Sequence, residues 1–113
     1  MKIKYLLLAI AFVLGSFSAN AVKIPVIVKD STSPFWQIVL DGGCTAGAEL
    51  GIEVPLLGPT SEADIAGQIN VLEDAVAGGA DAIVIAATSF EGLGAPIDEA
   101  AKSVPVVVID SIA

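Results

Sequence analysis

Four nearly continuous apolar runs recur along the chain, and each one ends in a short polar or glycine-containing segment. The runs cover residues 24–28, 52–57, 82–86 and 104–109. Runs of this kind are typical of parallel strands that are covered on both faces, because strands with one wet face alternate instead. The second run contains Glu53 and is therefore predicted to be somewhat less buried than the others.

Three segments with helical periodicity separate these runs. The first is predicted to begin at Pro34, with Ser33 as its N-cap, and to end at Gly51 in the left-handed conformation. The second begins near Ser61 and Asp64, whose three-residue spacing resembles a capping box. Its apolar positions then follow a helical spacing at Ile65, Ile69, Leu72 and Val76.

The third helical segment carries Leu93, Ile97 and Ala100 on one face and also contains Pro96. Proline removes a helical hydrogen bond, so we expect Pro96 to fall in or near the first turn. Four strands that alternate with three helices predict an α/β fold, a doubly wound parallel sheet with right-handed crossovers. The same alternation predicts a further helix after the fourth strand, so we expect residues 22–113 to form an incomplete lobe.

Residues 1–21 have the three parts of an export signal. Two lysines give a positive start, residues 5–14 form a short apolar core, and residues 19–21 have the small-x-small form of a cleavage site. A membrane span needs about 20 apolar residues, so this core is too short to cross a bilayer. We expect a soluble, exported chain that begins at Val22 and does not insert into the membrane after cleavage.

Residues 22–113 carry three lysines against thirteen acidic residues, which leaves a net charge of −10, and the sequence has no arginine or histidine. An acidic chain without a basic patch cannot neutralise a row of phosphates, so nucleic acid and anionic membrane surfaces are excluded as partners. The lack of histidine removes the commonest metal ligand and the commonest general base. Cys44, the only cysteine, offers a free thiol. No catalytic residue, metal site or cofactor is predicted.

Polar side chains follow the first strand in the segment 29–33, and Pro34 then starts a helix with Phe35 and Trp36 in its first turn. In an open parallel sheet, ligands sit in the crevice beyond the carboxyl ends of the strands. A flat apolar ring beside hydroxyl and carboxylate groups suits a ligand with C–H faces and many hydroxyls, as sugars have. Alternatively, either aromatic residue simply begins the core-facing side of the helix.

The order of these features resembles the N-terminal lobe of periplasmic sugar-binding proteins of the ribose-binding-protein type. The resemblance rests on the export signal, SPFW at 33–36, the LG that ends the first helix, GGADAIVIAATS at 78–89 and VPVVVIDS at 104–111. It extends over the whole of residues 22–113. In that family, two lobes joined by a hinge close on one sugar and deliver it to a membrane ABC permease. The resemblance implies the periplasmic substrate-binding component of a sugar ABC import system, with a pentose or hexose as ligand and the permease as partner.

The resemblance also implies roles for single residues. The family's asparagine-proline-aromatic-aromatic segment corresponds to residues 33–36, which implies that Phe35 and Trp36 stack on or flank the sugar ring. By the same correspondence, Ser33 bonds a hydroxyl. Asp110 corresponds to a strand-end aspartate that binds two sugar hydroxyls, and an ionised carboxylate accepts strong bonds from such a pair.

The sequence departs from the family pattern at two strand ends. Ser111 stands where an arginine often follows the aspartate, and Ala86-Ala87 replaces an asparagine that often ends the third strand. Thr88 and Ser89 are then the polar groups that can substitute for the asparagine. Lys29, at the end of the first strand, is predicted to compensate by donating to a hydroxyl, although it is alternatively a solvated lysine on the rim.

Three other classes of protein share part of this pattern. A periplasmic sensing module that feeds a chemoreceptor or a sensor kinase would have the same sugar site, and it stays open as an alternative. A Rossmann-like enzyme is a weaker alternative, because the loops have no glycine-rich phosphate-binding motif and no histidine is present to activate a hydroxyl. A lactose-repressor-type regulator shares the fold but would need a basic helix-turn-helix instead of an export signal.

Overall fold

Four strands alternate with three helices in the computed structural model, which describes residues 21–113. In chain order the elements are β1 (Val26–Ile27), α1 (Pro34–Leu50), β2 (Leu56–Leu57), α2 (Ile65–Ala77), β3 (Ile83–Ile85), α3 (Phe90–Ala101) and β4 (Val106–Val108). The predicted signal peptide, residues 1–21, lies outside the described residues except for Ala21. Every strand and helix expected between residues 22 and 113 is therefore present.

The strands form one parallel sheet in the order β2-β1-β3-β4. The chain passes from β1 to β2 on one side and then crosses to β3 on the other side of β1, so its winding direction reverses between β1 and β3. This reversal is a topological switch point, the place where doubly wound sheets bind their ligands. The predicted α/β fold with a doubly wound parallel sheet is confirmed.

Helices cover both faces of the sheet at β1 and β3, as the apolar runs predicted, whereas Val107 in β4 is 56% exposed. α1 covers one face, and the core on that side contains Val26, Val28, Trp36, Leu40 and Ala86. α2 and α3 pack on the other face, over a core that contains Ile27, Leu72, Ile83, Ile85, Leu93 and Ile97. A Cβ at Gly47 would lie 2.8 Å from Val54 Cγ2, so α1 depends on glycine there to approach the sheet.

The first helix begins and ends where the sequence predicted, but the second does not begin with the expected capping box. Ser33 is the N-cap of α1, and Gly51 ends it with φ 66°. The N-cap of α2 is Asp64 rather than Ser61. Its Oδ1 accepts from Gly67 N at 2.9 Å. A carboxylate at the N-cap satisfies one of the free N–H groups of the first turn and also lies at the positive end of the helix dipole.

Pro96 lies in the interior of α3, not in or near its first turn, so that expectation is wrong. The proline removes the helical bond that would reach the carbonyl of Gly92, at a cost of about 3 kcal/mol. The helix persists because its inner face is held by tertiary packing. Leu93, Ile97 and Ala100 are all buried against the sheet and α2. Packing over this face outweighs the local preference.

Three further observations concern the state of Cys44, metal binding and membrane-spanning helices. Cys44 is exposed and free. Within residues 21–113 no group of three or more cysteine or acidic side chains is placed to hold a metal ion. None of the helices in that range is both long and apolar enough to cross a bilayer.

Candidate functional site

Three polar strand ends meet at the carboxyl edge of the sheet, next to the switch point. They are residues 29–33 after β1, residues 86–89 after β3 and residues 109–111 after β4. β1 and β3 are neighbours in the sheet, and so are β3 and β4, so the three segments lie side by side. We refer to this group of segments as the carboxyl edge.

The segment 29–33 is held in one shape by bonds within itself and to its neighbours. Asp30 Oδ1 accepts from the backbone N–H of Thr32 at 2.8 Å and from its hydroxyl at 2.7 Å. The hydroxyl bond, assisted by the backbone bond, lowers the pKa of Asp30 because both bonds stabilise its ionised form. Ser31 N donates to Pro59 O at 2.8 Å, and Gln37 Nε2 donates to Ser31 O. The segment is therefore hydrogen-bonded both to the loop that follows β2 and to α1.

Lys29 and Asp110 form an ion pair across the carboxyl edge. Lys29 Nζ lies 2.7 Å from Asp110 Oδ2, and the two side chains are 16% and 43% exposed. The same ammonium lies 5.6 Å from the centroid of the Trp36 ring. Lys29 is thus not a solvated lysine on the rim, because most of its side chain is covered. Its predicted bond to a sugar hydroxyl stays a prediction, and an ammonium with three donors has capacity for it.

Asp110 has an unusual backbone. Its φ is 65°, the only positive value among non-glycine residues in the described range. Ser111 N donates to Ile109 O at 2.8 Å, which closes a tight turn around Asp110. Tight turns with a positive φ are strained, and such strain is often found at functional sites. The turn aims the Asp110 carboxylate at Lys29 and leaves its Oδ1 without a bond to any described residue.

The two adjacent aromatic residues have opposite environments. Trp36 is 3% exposed and belongs to the core beneath α1. Its Nε1 donates to Glu62 Oε1 at 2.7 Å. Phe35 is 59% exposed, and its ring meets that of Trp36 edge to face at 4.9 Å and 88°. The structure favours the core interpretation for Trp36 and leaves Phe35 as the ring that a ligand could contact.

The three serines predicted to bind the ligand differ in whether their hydroxyls already form hydrogen bonds within the protein. Ser89 Oγ caps α3 by accepting from Gly92 N at 3.0 Å. Ser111 Oγ donates to Ala87 O at 3.0 Å and so links the ends of β4 and β3. Ser33 makes no such side-chain cap bond at α1. The roles predicted for these serines stay predictions, and Ser33 has the freest hydroxyl of the three.

Thr88 is placed differently from the serines. Its Oγ1 is buried and has no hydrogen-bond partner among residues 21–113. Its backbone N–H donates to Gln68 Oε1 at 2.8 Å. A ligand would have to move neighbouring atoms before it could reach this hydroxyl.

Sequence reasoning missed Gln68, which is fully buried at the carboxyl edge. A glutamine in an amphipathic helix is usually read as a solvent-facing residue. One signal could have revealed it, because position 68 lies three residues after Ile65 and four before Leu72, within the apolar stripe of α2. A polar residue inside such a stripe needs buried partners.

A comparison with known families decides the family. The periplasmic binding protein domain matches residues 24–113, which is most of the chain. The chain belongs to this family. It is a family of solute-binding proteins rather than of enzymes.

Solved structures of solute-binding proteins superpose well on the chain. A carbohydrate transporter solute-binding protein from Agrobacterium radiobacter, in complex with D-arabinose, is 58% identical over 85% of this chain, with a TM-score of 0.83. An ABC transporter solute-binding protein from Agrobacterium vitis with bound D-fucose is 37% identical over 80%, with a TM-score of 0.73. An arabinose-binding protein from Geobacillus stearothermophilus is 30% identical over 82%, with a TM-score of 0.76. The matched regions make up 32% of each of these proteins, so the chain spans about a third of their length.

Proposed function

We propose that residues 22–113 contribute one wall of a monosaccharide site. In this proposal the protein is the substrate-binding component of a sugar ABC import system. It binds a pentose or hexose in the periplasm and passes it to a membrane permease. The observation that carries the proposal is that the exposed ring of Phe35 and the Lys29–Asp110 ion pair both adjoin the Trp36 ring near the switch point. This edge combines an apolar surface with charged hydrogen-bonding groups.

The chemistry of the carboxyl edge suits a neutral polyhydroxylated ring. The C–H face of a sugar packs on Phe35, and Asp110 Oδ1 accepts from one of its hydroxyls. Lys29 donates to a neighbouring hydroxyl, and Ser33 bonds another. Ser89 and Ser111 line the edge, but their hydroxyls already bond within the fold, and the Thr88 hydroxyl is buried. These groups bind and orient a ligand, and with no histidine in the sequence they offer no imidazole for proton transfer.

The solved relatives support the choice of ligand class. Two of the three carry a monosaccharide, D-arabinose in one and D-fucose in the other. The relative with D-arabinose is also 58% identical to this chain. A small-molecule site usually buries 70 to 90% of its ligand, and one wall covers only part of a ring. We therefore expect weak binding to this wall alone.

Replacing Phe35 with alanine is expected to weaken monosaccharide binding by about 2- to 10-fold, the range for the loss of one aromatic contact. The measurement is a nuclear magnetic resonance titration with D-arabinose and D-fucose, on the chain expressed from its full coding sequence. In the wild type, the amide signals of Ser33, Phe35 and Asp110 should shift together. Ser33 and Asp110 lie on two different strand-end segments, and Phe35 lies in the first turn of α1.

Ile38→Ala is the matched control for this test. Ile38 is 72% exposed on the same helix, about one turn from Phe35, and lies further from the carboxyl edge. It should leave sugar binding unchanged. Wild-type signals that do not move at any sugar concentration would contradict the proposed function, and equal losses in both variants would contradict the role of Phe35.

The exported chain is expected to begin at Val22, because the three parts of the signal end at residue 21. Mass spectrometry of the protein recovered from the periplasmic fraction checks this. A chain that keeps Met1 and stays with the cytoplasmic fraction would contradict both the cleavage and the periplasmic location. A cytoplasmic protein sharing the preparation serves as the marker for leakage.

A further inference from the structure

The side chain of Gln68 fills the gap where β1 and β3 separate at the switch point. The last bond of their ladder runs from Ala86 N to Ile27 O at 2.9 Å. Beyond it, the side chain of Gln68 reaches in from α2 and bonds to the ends of both strands. Its exposed fraction is zero. A polar group buried this deeply is usually retained because its partners need it.

The carboxamide of Gln68 makes three hydrogen bonds, all to backbone atoms. Its Nε2 donates to Val28 O at 3.1 Å and to Ala86 O at 2.8 Å. Its Oε1 accepts from Thr88 N at 2.8 Å. Both N–H donors are therefore used on two carbonyls, one from each strand. The opposite orientation would place the NH₂ group against the Thr88 N–H and the oxygen against two carbonyls, so these partners fix the orientation of the amide.

The neighbouring strand leaves the carbonyl of Val28 without a donor. Val28 N donates to Leu57 O. In a parallel ladder the carbonyl of Val28 would then accept from residue 59 of the neighbouring strand. That residue is Pro59, which has no N–H. Gln68 takes the place of the missing donor, and through Thr88 it also fixes the segment that follows β3.

We propose that Gln68 is a positioning residue for the ligand site. It sets the distance between the segment 29–33, which carries the ion-paired lysine and Ser33, and the segment 86–89 that follows β3. It does so without contact with the ligand. The inference rests on the proposed sugar site. Only a side chain with two donors and one acceptor at this reach can hold Val28, Ala86 and Thr88 together.

The test compares Gln68→Met with Leu72→Ala in the full-length chain. Methionine keeps the length of the side chain but removes all three hydrogen bonds. Leu72 lies one turn further along α2, is also fully buried, and packs in the core beneath α2 and α3. Both variants should lose stability. Gln68→Met should weaken D-arabinose or D-fucose binding at least 10-fold and speed exchange of the Thr88 amide proton, measured at a temperature where each variant is folded.

Leu72→Ala should bind sugar within 2-fold of the wild type under the same conditions. Wild-type affinity in Gln68→Met would overturn the inference while leaving the proposed function intact. Equal losses of affinity in the two variants would also overturn it, because they would trace the effect to stability alone. A wild-type chain that binds neither sugar would instead overturn the proposed function.

A measurement on the wild type covers the case in which Gln68→Met does not fold. The side-chain amide signals of Gln68 should shift when sugar is added, although the side chain does not touch it. Asn70 is the internal reference, because it lies on the same helix but is exposed to solvent. Its signals should stay in place. Gln68 signals that do not move while the Phe35 amide does would overturn the inference.

Discussion

Replacing Trp36 with alanine is expected to lower the free energy of unfolding by about 3 to 5 kcal/mol, the range for truncating a buried aromatic residue. The indole is 3% exposed and packs with Leu40 against β1 and the end of β3. The substitution also leaves Glu62 without the N–H that it accepts at 2.7 Å. Denaturant unfolding followed by circular dichroism gives the value.

Phe35→Ala is the matched control for Trp36. It removes an aromatic residue of the same helix turn, but one that is 59% exposed. Its loss of stability should stay below about 1.5 kcal/mol, the value of one edge-to-face contact. Similar losses in the two variants would show that Trp36 is not part of the core.

Replacing Asp110 with glycine is expected to leave stability within about 1 kcal/mol of the wild type and to weaken sugar binding by about 10- to 100-fold. Glycine adopts the observed φ of 65° without strain, which offsets the loss of a half-exposed ion pair worth roughly 0 to 1 kcal/mol. The affinity falls because a bond to a charged group contributes about 1.5 to 3 kcal/mol. Thermal unfolding and the sugar titration together separate the two effects.

Asp110→Asn is the companion variant, because asparagine also tolerates a positive φ but carries no charge. It should bind sugar weakly, like the glycine variant. If the asparagine variant bound as tightly as the wild type, the carboxylate charge would have no part in recognition. If the glycine variant unfolded at a temperature well below that of the wild type, the Asp110 side chain would stabilise the fold, and the turn would not be a site of strain.

The layers of the fold follow from local features of the sequence. Apolar runs bounded by glycine, proline and polar residues predict the strands, and the 3.6-residue spacing of Ile65, Ile69 and Leu72 predicts α2. Ser33 and Gly51 mark the ends of α1 through backbone preferences that need no tertiary contact. These features act over a few residues, so reading them requires only the neighbouring sequence.

The contacts of the candidate site could not be predicted in the same way, because its partners are distant in the chain. Lys29 and Asp110 are 81 residues apart, and they meet because β1 and β4 each pair with β3 in a particular register. The sequence alone did not show which of Phe35 and Trp36 is buried, although both lie in the first turn of α1. Which side of the helix faces the sheet depends on how α1 packs on the sheet. Pro96 shows the reverse case, in which tertiary packing overrides a local rule.

The environment of β4 has a consequence for the unfolded chain. β4 is an edge strand of the described sheet, and its central residue, Val107, is 56% exposed. Four consecutive β-branched residues, 106–109, are bracketed by Pro105 and Asp110. Amyloid-forming segments are usually six or seven residues long, rich in such side chains and free of proline and charge. Pro105 and Asp110 keep this stretch shorter than that, and so act as gatekeepers against aggregation before the sheet forms.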